Sequence, residues 1–418
     1  MIKNTFIIFS SRIIAILFSL LLNKYIAVKL GPEGIGLFGQ LKSLIAIATN
    51  YSNGGISSAT IRLFSRYKNN LRMKQLLFNN LISYSVLFIV PLTILFLIFS
   101  KHISIYLFGS ENYITAINFF AVSFVFYSIV INFQSIINGQ SRFILLSILI
   151  ILQSLVNLTV GVVFISLYNE HGLMLFLFIS QSFLAISIIL YAMKYKNFTS
   201  KIGVKTNLFK LFFQYTIMSS STAIILPTTL ILLRMMIQKD LGTDYMGYWQ
   251  ASWQLSEVFI GIIISTLASY YIPKLSQHKN YHNYLNELKK TILFSMLIVI
   301  PAVIFIYFLR DYIIELLYSE QFLVISDFVA VQLIGDILKV LFIVLNATMT
   351  IFALTKYYIF VELFHAVFFL SLSWFLLDYY GFMGLAYAYI LSYLISISLQ
   401  YILVYRKLDL IFLKGKIQ

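Results

Sequence analysis

Long apolar segments recur along the whole chain and constrain its fold more than any other feature. Each is about 20 residues or longer, the length that crosses the hydrocarbon core of a bilayer as a helix. The chain of 418 residues is 60% hydrophobic and 11% charged, and a soluble domain could not bury so much apolar surface. The pattern predicts an all-α polytopic membrane protein with twelve transmembrane helices, near residues 4–28, 35–59, 76–100, 113–138, 142–167, 171–194, 208–237, 244–272, 287–309, 322–350, 356–378 and 382–405.

The short connectors between these segments alternate in charge along the chain. One set carries most of the lysines and arginines, including Arg66 and Arg142, and the other carries most of the acids, including Glu111 and Asp378. Basic connectors of membrane proteins stay in the cytoplasm, so the first set and both termini are predicted to be cytoplasmic. The net charge of +15 is then explained mostly by the basic cytoplasmic connectors. A nucleic-acid partner is therefore not expected.

The sequence contains no recognisable motif for catalysis or metal binding. Its connectors are too short to form an extramembrane domain that could hold catalytic groups. It has no cysteine, its five histidines are scattered, and it contains neither a Ser/His/Asp arrangement nor a phosphate-binding glycine loop. We therefore predict no metal, no cofactor and no enzymatic activity.

A weak internal repeat divides the chain into two halves. The stretch LGPEGIGLF (30–38) returns as LGTDYMGYW (241–249), and SRYKNN (65–70) returns as SQHKNY (276–281), at one constant offset of 211 residues. Six spans per half give both halves the same orientation, as in transporters that bind substrate between two repeats. The predicted domains are an N-terminal six-helix bundle, 1–200, and a C-terminal six-helix bundle, 201–418.

Eight charged residues fall inside the predicted spans, where each costs about 2.5–3.5 kcal/mol on insertion scales. Because of this cost, they are expected to face an interior cavity or a partner. The eight residues are Arg12, Lys24, Lys42, Arg234, Glu257, Asp336, Lys339 and Glu362. The excess of bases over acids favours an anionic substrate such as a pyrophosphate, and the fork of an arginine matches phosphate oxygens.

The basic residues each have a simpler interpretation as well. Lys24 and Arg234 lie near helix ends, from which their side chains could reach the lipid headgroups. Against this, the repeat places the two within one residue of equivalence. Lys42 lies deeper, and Arg62 marks the cytoplasmic end of the second span, where it could serve topology alone.

The acids suggest either ion coupling or structure. Asp336 and Lys339 are spaced i, i+3 on one helix face, where they could form a neutralising pair. Glu257 and Glu362 lie two or more turns inside their spans. Either could relay a proton or a sodium ion, or pair with a lysine.

Several segments, taken in order and spacing, resemble one known family. They are NKYIAVKLGPEGIGLFGQLKSL (23–44), NGGISSATIRLFSRY (53–67), LPTTLILLRMMI (226–237), MGYWQASWQLSEVF (246–259), LASYYIPKLS (267–276) and VQLIGDILKV (331–340). The chain resembles the Wzx-type flippases of the polysaccharide transport family. This family belongs to the multidrug/oligosaccharidyl-lipid/polysaccharide exporter (MOP) superfamily. The likeness is closest to the lipid III and O-antigen flippases.

The resemblance implies a V-shaped pair of six-helix bundles around a central cavity in the bacterial inner membrane. Such a protein moves undecaprenyl-diphosphate-linked oligosaccharide by alternating access for lipopolysaccharide or O-antigen biosynthesis, with H⁺ or Na⁺ coupling. Its partners would be the lipid-linked substrate, the bilayer, and the polysaccharide polymerase and chain-length proteins. Carried onto this chain, the substrate-binding residues are Lys24, Lys42, Arg62, Arg234 and Lys339, and the ion-coupling or structural acids are Glu257, Asp336 and Glu362.

Three alternatives remain at this point. One is a peptidoglycan lipid II flippase, which the Gly31–Gly36 turn does not exclude. A multidrug or cation antiporter of the same superfamily would favour acids over bases in its cavity. A membrane glycosyltransferase or O-antigen polymerase would need a long extracytoplasmic loop, which the spacing of the spans does not provide.

Overall fold

The computed structural model describes residues 2–53, 56–67, 69–194, 206–266, 271, 274–275, 277, 280–352, 354–405 and 408. Within these residues the fold is helical and has no strand, which confirms the predicted all-α class. The helices are α1 (Ile2–Asn53), α2 (Ile56–Arg66), α3 (Leu71–Ile98), α4 (Ser100–Phe108), α5 (Ile114–Gly139), α6 (Phe143–Lys194), α7 (Thr206–Leu241), α8 (Thr243–Thr266), α9 (Tyr281–Leu317), α10 (Ser326–Ile351), α11 (Thr355–Tyr380) and α12 (Met383–Leu403).

The predicted transmembrane spans map onto these helices. Eight of the helices are long and apolar enough to cross a membrane. Two of the eight, α1 and α6, are 52 residues long and carry a non-helical residue inside, Gly31 and Asn169 respectively, so each accounts for two crossings. The predicted seventh and eighth spans correspond to α7 and α8, which are 36 and 24 residues long. Every predicted crossing therefore has a helix.

The apolar pattern misplaced some helix ends and missed a short helix. The described part of the second span reaches Asn53, and α2 lies further along the chain, with Leu63 and Phe64 buried and Arg62 exposed. Residues 54 and 55 lie outside the described residues, so the predicted end of this span near residue 59 stays a prediction. Helix α4 was not predicted, and α9 is longer than the predicted 287–309. The reason is physical: backbone hydrogen bonds continue a helix past the edge of the hydrocarbon, where side-chain hydrophobicity has already fallen.

The described contacts divide the chain into two compact units, Met1–Ile231 and Leu232–Gln418. The division falls within α7, whereas the predicted boundary between residues 200 and 201 lies outside the described residues. In the first unit α6 packs along α1 and α5, and α2 packs on α3 and α5. In the second unit α12 packs against α10 and α11, and α9 and α8 also pack on α10.

The backbone repeats its irregularities between the two halves. Gly31 and Gly242, paired by the sequence repeat, both have positive φ, 67° and 100°, where the chain passes between consecutive spans. Glycine adopts this conformation without the steric penalty of a side chain. Asn169 and Gly381, with φ 49° and 55°, mark the turns between the fifth and sixth spans and between the eleventh and twelfth.

Further pairs extend the repeat beyond the segments that the sequence had indicated. Asn70 and Asn280 are the N-caps of α3 and α9, and each side chain accepts a hydrogen bond from a backbone N–H of the first turn. Pro91 and Pro301 lie inside the same two helices. In the stretches LFGSENY (107–113) and LLYSEQF (316–322), a serine precedes a 3-10 turn, Glu111–Tyr113 or Glu320–Ile325. Lys68 and Lys279, also matched by sequence, lie outside the described residues.

One packing contact is reproduced almost atom for atom. A Cβ at Gly172 would lie 2.2 Å from the carbonyl oxygen of Phe164, and a Cβ at Gly384 would lie 2.1 Å from that of Leu376. Both glycines follow their turn and pack on the backbone of the preceding span. Real Cβ atoms do not approach so closely, so only glycine fits either position.

The connector before the third span of each half differs between the halves. In the first unit Leu63 of α2 and Leu77 of α3 belong to one buried apolar cluster. In the second unit the connector and the helix that follows it carry Lys274 and Glu287, whose side chains form an ion pair with a distance of 2.6 Å between Nζ and Oε1. Glu287 is buried whereas Lys274 is partly exposed. Among the described residues, the connector of the first half thus contributes to an apolar cluster, whereas that of the second half contributes to an ion pair.

We expect Gly172→Ala and Gly384→Ala each to lower the stability of the purified protein, by about 1–3 kcal/mol, because the added methyl must displace backbone. Thermal unfolding in detergent, followed by circular dichroism, measures the effect. The control is Gly261→Ala, since nothing lies within 4 Å of a Cβ at that helical position. Equal melting temperatures for all three variants would show that the close contact is not needed.

Candidate functional site

Arg234 lies in the last two turns of α7 and is 1% exposed, which makes it one of the largest fully buried side chains. The α7–α8 turn at Gly242 brings Gln250 opposite it, and Nη1 of Arg234 donates a hydrogen bond to Oε1 of Gln250 at 3.3 Å. Glu257, further along α8, attracts the guanidinium electrostatically. A side chain reaching for headgroups would be exposed, so the snorkelling alternative does not describe Arg234.

Asp336 is completely buried in the middle of α10 and is held by hydroxyl groups. Ser256 of α8 donates to Oδ2 at 2.6 Å, and Tyr389 of α12 donates to Oδ1 at 2.9 Å. Gln332, one turn before Asp336, donates to the Ser256 hydroxyl at 2.6 Å and so fixes its orientation. A buried carboxylate needs such donors to offset its lost hydration.

Lys339 lies one turn after Asp336, yet its ammonium contacts a ring and not the carboxylate. Its Nζ is 4.3 Å from the ring centroid of Trp253, a distance typical of a cation–π interaction. Within the described part of the chain, Asp336 receives its hydrogen bonds from Ser256 and Tyr389 and none from Lys339. The two charges attract each other through space without forming a direct pair.

A glycine makes room for this arrangement. A Cβ at Gly335 would lie 2.2 Å from the ring of Tyr389, so the ring lies directly against the backbone of α10. The ring of Tyr389 also meets Trp253 edge to face, with centroids 5.7 Å apart. Gly335 thereby places the Tyr389 hydroxyl at Asp336 and the ring at Trp253.

Glu362 of α11 is tied into a second polar network. Nδ2 of Asn346 donates to its Oε1 at 2.8 Å, and Nε2 of Gln400 donates to Oδ1 of Asn346 at 2.8 Å. The Tyr358 hydroxyl also hydrogen-bonds the carboxylate. Amide and hydroxyl groups of three helices therefore form the network around Glu362, whereas Glu257 is exposed on α8.

The remaining predicted residues lie in the first unit. Lys24 is partly buried on α1 before the break at Gly31, and Lys42 follows the break, with Nζ 4.2 Å from the ring centroid of Phe38. Arg62 is exposed on α2. The second unit holds Arg234, Glu257, Asp336, Lys339 and Glu362. That the cations of both halves share one chamber stays a prediction.

Sequence reasoning missed several polar residues of the second unit, although a periodic signal was present. Along α10 the residues Gln332, Asp336, Lys339 and Asn346 recur at helical spacing, and all four are buried. Along α12 a matching stripe comprises Tyr389, Tyr393, Ser396 and Gln400, also buried. Polar residues at i, i+4 and i+7 in apolar helices indicate faces that pack together inside the protein.

Three comparisons place this architecture among known proteins. A family model described as "Polysaccharide biosynthesis protein" matches residues 30–327. The chain is 24% identical over 397 residues to the lipid III flippase of Escherichia coli (strain K12), covering 93% of this chain and 94% of that one.

Solved structures share the fold at low sequence identity. A multidrug resistance MATE family transporter of the MOP superfamily, in an inward-facing conformation, superposes with a TM-score of 0.78 at 15% identity, over 95% of each chain. The lipid II flippase MurJ, in an inward closed conformation, gives a TM-score of 0.76 at 17% identity, over 96% of this chain and 87% of that one. The chain therefore belongs to the polysaccharide biosynthesis protein family and has the fold of the MOP superfamily of transporters.

Proposed function

We propose that the protein is a flippase for undecaprenyl-diphosphate-linked oligosaccharide, an O-antigen or related surface-glycan repeat unit. It moves this lipid from the inner to the outer leaflet of the bacterial inner membrane by alternating access. Flipping makes and breaks no covalent bond, so the protein is not an enzyme. The observation that carries the proposal is Arg234, a guanidinium 1% exposed between apolar helices and oriented by the Gln250 amide.

A diphosphate headgroup suits the basic residues of both halves. Arginine pairs with phosphate oxygens through two parallel hydrogen bonds, and lysine adds point charges. At a separation of about 4 Å and an effective dielectric near 20, each cation–anion contact is worth about 4 kcal/mol before desolvation. We assign this binding to Arg234, Lys24, Lys42, Lys339 and Arg62, and Arg62 is the most exposed of the five to solvent.

The charge of the site separates this function from those of other transporters with the same fold. A drug or cation antiporter would favour acids, whereas the charged residues inside the predicted spans here are mostly basic. A lipid II flippase would also bind a polyprenyl diphosphate, so it differs from the proposal only in the glycan. The similarity to the lipid III flippase along 93% of the chain supports a surface-glycan substrate.

The acids are assigned different roles by their surroundings. Asp336 and Glu362 are hydrogen-bonded by side chains of neighbouring helices, which suits structural acids. Glu257 is exposed and lies within electrostatic reach of Arg234, which suits a group that binds H⁺ or Na⁺ and changes the local charge. We propose that the polysaccharide polymerase and chain-length proteins receive the flipped product.

Replacing Arg234 or Lys24 with alanine is expected to reduce flipping about 10- to 100-fold, since a charged hydrogen bond contributes about 1.5–3 kcal/mol. Export is measured as surface glycan in cells that depend on the variant, with the membrane level of each protein quantified. The lipid-linked oligosaccharide should accumulate on the inner leaflet.

The control for these variants is Lys101→Ala, which removes one positive charge from an exposed ion pair with Glu111. It should export at the wild-type rate. If Arg234→Ala and Lys24→Ala also export at that rate, the proposed recognition of phosphate by these cations is wrong.

Replacing Glu257 with glutamine should flatten the dependence of transport on pH or sodium, because glutamine cannot bind or release the coupling ion. Uptake of a lipid-linked substrate into proteoliposomes under defined H⁺ and Na⁺ gradients measures this. Glu320→Gln, at the start of a 3-10 turn, is the control. An unchanged ion dependence in Glu257→Gln would assign the residue a structural role.

The absence of native cysteine allows the proposed orientation to be tested with single cysteines. Asn112→Cys, beside Glu111, should react with a membrane-impermeant maleimide added from the periplasmic side. Asn69→Cys, before α3, should react only after the inner membrane is permeabilised. Both asparagines are exposed, so access is decided by the membrane and not by burial. The reverse labelling pattern would place the termini in the periplasm.

A further inference from the structure

Lys339 occupies an unusual position for a buried cation. It is 9% exposed on α10, whereas Asp336 one turn earlier is 0% exposed. In the described part of the chain its ammonium donates no hydrogen bond and lies over the ring of Trp253, 4.3 Å from the ring centroid. The Asp336 carboxylate is near the lysine in sequence, but it accepts its hydrogen bonds from Ser256 and Tyr389.

Neighbouring aromatic rings fix the position of the Trp253 ring next to the ammonium of Lys339. Its ring stacks on Trp249 with centroids 5.4 Å apart, and Tyr389 meets it edge to face. Both tryptophans are buried, so neither ring is an exposed platform for a sugar. The ring of Trp253 is thus fixed by two aromatic neighbours while its face supports the charge of Lys339.

The difference between an aromatic face and a carboxylate matters for an anionic ligand. Breaking a buried ion pair is costly, since it leaves an uncompensated charge. A cation–π contact is weaker and leaves the N–H groups without an oxygen acceptor. An ammonium on an indole is therefore stabilised in a low-dielectric region and yet remains able to donate to an oxyanion.

A related contact occurs in the first unit. Lys42 lies over Phe38, four residues earlier on α1, with 4.2 Å between Nζ and the ring centroid. At the repeat offset of 211 residues Phe38 pairs with Trp249 and Lys42 pairs with Trp253, so the two contacts do not occupy equivalent positions. In both halves, however, the helix after the turn at Gly31 or Gly242 supplies an aromatic face to a lysine.

We propose that Trp253 is a positioning residue that holds Lys339 over its indole face, ready to bind a phosphate oxygen of the lipid diphosphate. This inference rests on the proposed function and adds to it a residue that contacts no substrate. Ser256 and Tyr389 support this arrangement, because they donate hydrogen bonds to Asp336 while Gln332 orients the Ser256 hydroxyl, so the buried carboxylate has hydrogen-bond donors other than Lys339.

The first experiment measures binding of a short-chain prenyl diphosphate, with the matching prenyl alcohol as the uncharged probe, to the full-length protein in nanodiscs. Trp253→Met, which fills space without a ring face, should weaken diphosphate binding roughly 2- to 30-fold. Trp253→Phe should restore most of it. Trp374→Met is the control, since that tryptophan is exposed on α11 and supports no ammonium among the described residues.

A double-mutant cycle then tests whether Trp253 acts through Lys339. In a Lys339→Met background, Trp253→Met should cause no further loss. Losses that add, wild-type affinity in Trp253→Met, or an equal loss in Trp374→Met would overturn the inference. If the wild type binds the diphosphate and the alcohol equally well, the proposed function itself fails. This outcome is distinct from a failure of the inference about Trp253.

A second measurement does not depend on removing Trp253. The chain has three tryptophans, so Trp249→Phe with Trp374→Phe leaves Trp253 as the sole indole. Adding the prenyl diphosphate should bring negative charge to the ammonium over the ring and change the fluorescence, whereas the alcohol should not. The change should vanish with Lys339→Met. Fluorescence that does not respond to the diphosphate would overturn the inference that the diphosphate binds Lys339 over the Trp253 ring.

Discussion

The need to compensate charge and polarity where water is absent governs the interior of this protein. A carboxylate or guanidinium inside an apolar helix bundle must find donors, acceptors or opposite charge within the protein, or the helix does not insert favourably. Asp336 meets this need with two hydroxyl donors, Glu362 with an amide, and Arg234 with the oxygen of Gln250. Lys339 meets it with an indole face. The position of each partner then fixes which helices must adjoin.

The two halves resemble each other more closely in backbone geometry than in the chemistry of their side chains. Turns, caps and prolines recur at Gly31 and Gly242, Asn70 and Asn280, and Pro91 and Pro301. Their interiors differ, because α10 carries Asp336 and Lys339 whereas α5 carries no charged residue. A shared scaffold with unlike side chains suits a transporter in which the halves contribute different parts of the binding chemistry.

The sequence predicted the membrane-spanning class, the number of crossings and the repeat, because these depend on long apolar runs and on glycines at turns. It missed α4, which has only 9 residues and so is not marked by an apolar run of membrane-spanning length. It also identified Asp336 and Lys339 without their partners, since Ser256 and Tyr389 are 80 and 53 residues away from Asp336. When two helices that are distant in sequence pack together, the sequence shows only a periodic stripe of polar residues on each helix, as on α10. The stripe indicates a buried face but does not identify the residues that it contacts.

The glycine contacts in α6 and at the start of α12 bear on how such a molecule can move. At Gly172 and Gly384 one helix rests on the peptide backbone of the preceding span, with no side chain between them that could change rotamer. The two helices of each pair are consequently held together at their turn and move as one rigid body. Bending then falls to helices that contain an internal proline, such as α3, α7 and α9.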